Sequence, residues 1–209
     1  GAFAKLTLVA VFAVSAAVAS AAAASPARAD EEACKIGPYA TCNGADLTGA
    51  QLANAKLRAA QLRRVKLDEA NLRSSDLQGA YLTDARLKNA DLTAANVRGA
   101  TLVRADLTGA ALRQANFADV RMDTAVLREA DARGANFEGA QLQGVDFRGA
   151  DLRAAVFIGA TLEGADLRGA KIDDAVLDGG AWQPGANLTG ATWIDGSVCG
   201  RGSLGRCAN

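Results

Sequence analysis

Ala45-Asp46-Leu47-Thr48-Gly49 runs without a break into Ala50-Gln51-Leu52-Ala53-Asn54 and Ala55-Lys56-Leu57-Arg58-Ala59. A small residue, usually Ala, recurs at every fifth position and an apolar residue two places later, through 27 consecutive units ending at Ala175-Val176-Leu177. The apolar places run from Leu47, Leu52 and Leu57 through Phe117, Met122, Phe137, Phe147 and Phe157 to Ile172 and Leu177; none is charged and only Ala132 is small. Five residues turn an α-helix through about 500°, or about 140° off-face, and in a flat strand residues i and i+5 point to opposite sides. The backbone therefore turns a corner in every unit. Side chains that return inward after each corner define a solenoid whose neighbouring coils hydrogen-bond in register. Gly at the last place of the unit, as at Gly49, Gly79, Gly99 and Gly109, suits corners that take positive φ.

The larger substitutions recur at twenty residues: Phe117, Phe137 and Phe157; Arg128, Arg148 and Arg168; Arg113, Arg133 and Arg153. Four units per coil would stack each set on one face. The units Ala-Asp-Leu-Thr-Gly (45–49 and 105–109), Ala-Asp-Leu-Arg-Gly (165–169) and Ala-Asn-Phe-Glu-Gly (135–139) resemble the A(D/N)LXX consensus of the pentapeptide-repeat family. The resemblance covers residues 45–193, with one residue added around Gln183-Pro184-Gly185 before the register resumes at Ala186-Asn187-Leu188. It implies an all-β fold, a right-handed four-sided β-helix (β-solenoid) of about seven coils, with Ala and Leu/Phe inside and Asp/Asn supporting the corner.

Val65, Ser75, Val120 and Val145 replace the small Ala, and Lys56, Lys66, Tyr81, Arg86, Val126 and Val156 replace Asp/Asn, as tolerated variation. Ala132 leaves one core layer short. A Leu-to-Ala deficit costs about 2–5 kcal/mol unless neighbours fill the space, and Phe137 in the next unit is placed to do so.

Residues 6–24 are almost wholly Ala, Val, Leu and Phe behind Lys5, and Ala27-Arg28-Ala29 supplies an A-x-A cleavage signal. Residues 1–29 read as an export signal peptide cut after Ala29, with a membrane anchor as the rival reading. The chain opens on Gly1 rather than Met, which fits a two-part presequence of transit peptide and export signal. Together with the repeat, this architecture resembles pentapeptide-repeat proteins of the thylakoid lumen and of the cyanobacterial lumen or periplasm. The expected localisation is the chloroplast thylakoid lumen, with a bacterial periplasm or secretion as the alternative. Residues 30–44 and 194–209 are expected to form short caps on the repeat domain of 45–193.

All four cysteines lie outside that domain, as Cys34 and Cys42 before it and Cys199 and Cys207 after it. About seven coils at roughly 4.8 Å put the ends roughly 30–35 Å apart, whereas a disulfide needs Cα atoms within about 7 Å. Cys34 with Cys42 and Cys199 with Cys207 are then the intramolecular options, as disulfide-capped ends. Zinc is disfavoured by the spacing and by the lack of histidine. A dithiol redox switch stays open as an alternative.

The chemistry the chain permits is narrow. With no histidine, and with serines in the repeat limited to Ser74 and Ser75, nucleophilic and acid-base catalysis lose most of their parts. No catalytic residue, metal ligand, cofactor or small-molecule site is expected, and the recurring carboxylates read as corner supports rather than a glycosidase-like pair or a cation site. The repeat from Ala45 to Gly179 carries 18 Lys/Arg against 19 Asp/Glu. A mimic of duplex DNA that binds topoisomerase, a second family role, should be strongly acidic, and direct nucleic-acid binding needs a basic excess. What remains is a scaffold or assembly protein, not an enzyme. Its candidate interaction patch is Arg113, Arg133 and Arg153 beside Arg128, Arg148 and Arg168, with Asp131, Asp146, Asp151 and Asp166 next to them. That patch suits an unidentified acidic protein partner or an anionic membrane surface; the alternative is a solvated face whose charges balance locally.

Overall fold

The structure, a computed structural model, describes residues 34–177, 185–203 and 207. The chain divides into two compact units, Gly1–Glu32 and Ala33–Asn209, and every described residue belongs to the second. The expected export signal at 1–29, its cleavage point, and Gln183-Pro184 in the added stretch lie outside the described residues.

The period of five is resolved by a corner in every unit. Taking 105–109 as the example, the Ala105 N–H donates to the Leu102 carbonyl at 3.0 Å, closing a turn over the preceding corner. Asp106 donates to Ala85 of the coil before at 2.9 Å, and Leu107 and Gly109 donate to Val126 and Arg128 of the coil after at 2.7 and 2.8 Å. The fifth N–H, on Thr108, has no backbone acceptor and donates instead to Oδ1 of Asp106 at 3.1 Å. Buried or crowded backbone donors must all be matched. Three are matched between coils, one within the turn, and one by the side chain at the polar place of the same unit, an Asx turn.

Parallel bridges join polar places twenty residues apart on four sides, as in Gln61↔Tyr81, Lys66↔Arg86, Asn71↔Asp91 and Asp76↔Asn96. The four-unit coil that the Phe and Arg spacings suggest and the family resemblance implies is therefore the observed one. We call the sides by their first members: Thr41, Asp46, Gln51 and Lys56. Each side contributes one bridged residue per coil, so the ladders are isolated bridges rather than extended strands. The reason is geometric, because two of every five residues are spent on the corner. Past Lys171 the register changes by one, in Asp166↔Asn187 and Lys171↔Thr192. This is the step expected from the added residue.

The ladder also reaches further upstream than the 45–193 boundary. Thr41 bridges Gln61, and Gly44 has φ 71°. Ala40-Thr41-Cys42-Asn43-Gly44 is thus a unit in register, with Cys42 at the apolar place, 3% exposed. At the other end the chain reverses: Thr192 pairs antiparallel with Val198, and Leu188 and Gly190 donate to the carbonyls of Ser203 and Cys199. The tail so supplies acceptors that a further coil would have supplied.

The core is a continuous column of Leu, Phe and Ala from Leu52 to Ala191. Val65, Val120 and Val145 fit at the small place fully buried, as does Ser75, whose hydroxyl has no hydrogen-bond partner. Phe117, Phe137 and Phe157 stack on the Lys56 side with centroids 5.3 and 5.1 Å apart, and Phe147 meets Phe137 and Phe157 edge-on. Ala132 is fully buried, in the unit before Phe137.

Positive φ at the second turn place is imposed by the fold rather than by glycine. Ala94 and Ala154 adopt 57° and 56°, and even β-branched Thr124 adopts 57°. For a non-Gly residue the left-handed region costs roughly 1–2 kcal/mol, so Ala154→Gly should raise stability by about 0.5–1 kcal/mol after glycine's entropic cost; a lower melting temperature would contradict this. Leu107→Asp should abolish the β-type circular dichroism spectrum, since an unpaired buried carboxylate costs several kcal/mol, while Thr108→Ala should leave the spectrum unchanged.

Candidate functional site

The six arginines of the candidate patch all occupy first turn places. Bridges through Ala111, Asp131 and Asp151 set Arg113, Arg133 and Arg153 along the Gln51 side, and bridges through Val126, Asp146 and Asp166 set Arg128, Arg148 and Arg168 along the adjoining Asp46 side. The two columns are therefore assembled as the spacing implied.

Each column is threaded with carboxylates. Asp131 receives Nε of Arg113 at 2.6 Å and both Nε and Nη2 of Arg133 at 2.9 Å. Asp146 receives Nε of Arg128 at 2.5 Å and the same two atoms of Arg148 at 2.9 Å. Asp151 holds Arg153, and Asp166 holds Arg168, by the same two-pronged contact. Longer contacts continue the chain upward, Arg133 to Asp151 at 3.8 Å and Arg148 to Asp166 at 3.7 Å. The same Asp oxygens also accept the Arg backbone N–H, as between Arg148 and Asp146 at 3.2 Å. One carboxylate thus supports the corner and orients the guanidinium.

This double use lowers the carboxyl pKa values. Bonds from Arg133, ahead of the opposing effect of partial burial and then aided by Arg113, hold Asp131 down at about 2. Partial burial pushes Asp146 up, but the bonds from Arg148 and Arg128 outweigh it and bring it to about 2. The Asp-x-Arg pattern at 131–133, 146–148, 151–153 and 166–168 was the available sequence signal for this local pairing.

Several charges elsewhere are also paired. An open depression of about 440 Å³ on the Asp46 side includes Asp46, Lys66, Asp68, Arg86 and Lys88. Lys66 pairs with Asp46 at 3.1 Å, Arg86 with Asp68 at 2.7 Å and Lys88 with Asp106 at 3.3 Å. Among the described residues no group of three or more Cys, Asp or Glu side chains converges to hold a metal ion, and no helix is long and apolar enough to cross a membrane. The cysteines pair as Cys34–Cys42 and Cys199–Cys207, with Cα separations of 5.1 and 4.9 Å.

A coil of four five-residue units, with Asx-supported corners recurring along it, is the architecture of a pentapeptide-repeat protein. The chain belongs to that family: pentapeptide repeats match in 8 copies, over residues 39–68, 70–114, 105–144 and 135–174. The family implies a right-handed quadrilateral β-helix. Similar solved structures include HetL, a pentapeptide-repeat protein involved in heterocyst differentiation regulation from the cyanobacterium Nostoc sp. strain PCC 7120. It is 27% identical over 76% of this chain and 91% of its own, with a TM-score of 0.33. A pentapeptide-repeat protein from the Arabidopsis thaliana thylakoid lumen is 31% identical over 53% of this chain and 70% of its own, with a TM-score of 0.25. Full-length QnrB1, a plasmid-mediated fluoroquinolone resistance protein, is 18% identical over 72% and 80%, with a TM-score of 0.41. No curated protein matches the chain significantly.

The depressed carboxyls give a pH prediction. A folded pKa of about 2 for Asp131 and Asp146, against about 3.9 unfolded, means that the native state binds fewer protons. The stabilisation is present above about pH 4 and is lost as pH falls through about 2. Melting temperature should fall over that window, and less steeply in the Asp131→Asn, Asp146→Asn double variant; an equal acid slope in both proteins would contradict the pairing.

Proposed function

We propose that the protein is an exported, non-catalytic scaffold that presents fixed columns of side chains to a protein partner, in the thylakoid lumen. The observation that carries this reading is the inter-coil ladder. It holds each outward place in register with the one twenty residues away. Such a surface is built for recognition by position.

Export to an oxidising compartment is supported by the apolar stretch at 6–24 with its Ala-x-Ala signal and by two closely paired disulfides, which persist in such compartments. Cys42 and Cys199 are buried at the two ends of the core, and Cys34 and Cys207 pack partly exposed against it. In this reading the bridges act as lids that keep the open coil ends from pairing with other chains. A topoisomerase-binding DNA mimic is not supported by surface columns in which arginine and aspartate alternate.

A second reading, a redox-responsive lumenal or periplasmic protein, is favoured by one feature. Each disulfide has a partly exposed cysteine that a dithiol reductant can reach.

Affinity purification of the mature protein from its own compartment separates the two. The scaffold should recover the same partners with and without prior reduction; partners that exchange on reduction favour the redox reading, and recovery of none contradicts the scaffold. Mass mapping of non-reduced peptides should find Cys34 linked to Cys42 and Cys199 to Cys207. Free or cross-paired cysteines would contradict the lids. Reduction should lower stability by at most a few kcal/mol, with loosening confined to the ends.

A further inference from the structure

Four guanidinium groups on adjoining sides share one geometry. Arg133, Arg148, Arg153 and Arg168 each donate through Nε and Nη2 to the two oxygens of the Asp two residues earlier. Among the described residues, none of their Nη1 atoms has a protein acceptor. The planar fork is thus fixed on one edge, its Nη1 donors are left over, and the four side chains stay 36–48% exposed. An arginine already held in place loses little further freedom when a partner binds, which is the gain from preorganisation.

Position along the coil axis is fixed too. Arg133 and Arg153 are one coil apart, as are Arg148 and Arg168, so each pair is separated by about one inter-strand spacing, roughly 4.8 Å. Carboxylates at i and i+3 or i+4 of a helix sit at about the same interval, with Cβ atoms roughly 5–6 Å apart. Alternate side chains of an extended strand are roughly 6.6–6.8 Å apart and fall out of step. Six arginines against four aspartates leave the patch locally basic, but Glu129 and Asp173 bound it. The long-range field is therefore weak, and recognition has to come from short, directional, charge-assisted bonds.

We propose that the two columns form a docking surface for an acidic helix of a partner protein, with carboxylates one turn apart accepting from Nη1 of arginines one coil apart. The proposal rests on the scaffold reading and names the partner chemistry for it. The aspartates act as positioning residues, and the arginines make the contact.

The test titrates the purified, oxidised protein with a labelled helical peptide bearing Glu at i and i+4 along one face, and with a scrambled peptide of the same composition. The register-matched peptide should bind at least about ten-fold tighter, as directional ion pairs require. The Arg148→Lys, Arg153→Lys variant keeps the charge but loses the fork, so it should lose that preference while its circular dichroism spectrum stays that of the folded protein. Arg133→Gln, Arg168→Gln should do the same and serves if the lysine variant is destabilised. Equal affinity for the two peptides, preference retained in both variants, or tighter binding to phosphatidylglycerol vesicles than to the matched peptide would each overturn the proposal. If both variants still recover the native partners in affinity purification, this surface is wrong and the scaffold reading stands.

Discussion

Everything in this fold depends on the backbone hydrogen bonds between coils. A five-residue unit with a corner in it is too short to satisfy its own donors, so three of its N–H groups reach neighbouring coils and commit them to a common register. Once that register is fixed, the apolar place turns inward and the first turn place turns outward, with Ala118 an exception that stays buried. The core then becomes a single column of Leu, Phe and Ala, and its continuity arises from the ladder rather than from globular packing.

The same accounting explains the polar place. Asp or Asn there accepts the one N–H that the ladder cannot reach, and two of the units that lack it satisfy that donor from another coil. Lys88 comes two places after Arg86, which cannot accept, and its N–H goes to Oδ1 of Asp68 in the coil below at 3.0 Å. Arg63 uses Oδ1 of Asn43 in the same way at 2.9 Å. Substitutions such as Lys66 and Val126 are tolerated because they forfeit one local bond and leave the inter-coil bonds intact. Where Asp is kept and Arg stands two places on, a corner support also aims a guanidinium, so surface function grows out of the folding requirement.

The fold was legible because the repeat is a direct imprint of the ladder. The spacing of Phe117, Phe137 and Phe157 marked the coil length, and the added residue near Gln183 marked the change of register between Asp166 and Asn187. The upstream start at Thr41 was hidden because Cys42 reads as a disulfide residue before it reads as an apolar one. At the arginine columns, placement was legible and pairing was less so. The spacing told which side each arginine lies on, but the two-pronged contact depends on side-chain reach within one unit. The Asp-x-Arg pattern signals it only once the corner geometry is known. The folded-back tail left no sequence signal, since it replaces a coil with an antiparallel reversal at Gly196.

Residue-resolved amide hydrogen exchange tests the central claim most directly, because it reads the donors one at a time. The account predicts strong protection at Leu107, Gly109 and the equivalent ladder donors of the middle coils. It further predicts slow exchange at Arg148 and Glu138, whose N–H groups donate to Asp146 and Asn136, and fast exchange at Arg128 and Ile158, which stand two places after Val126 and Val156. Equal exchange rates within the pairs Arg128 and Arg148, and Ile158 and Glu138, would contradict the assignment of the fifth donor to the polar side chain. Unprotected ladder donors would contradict the fold itself.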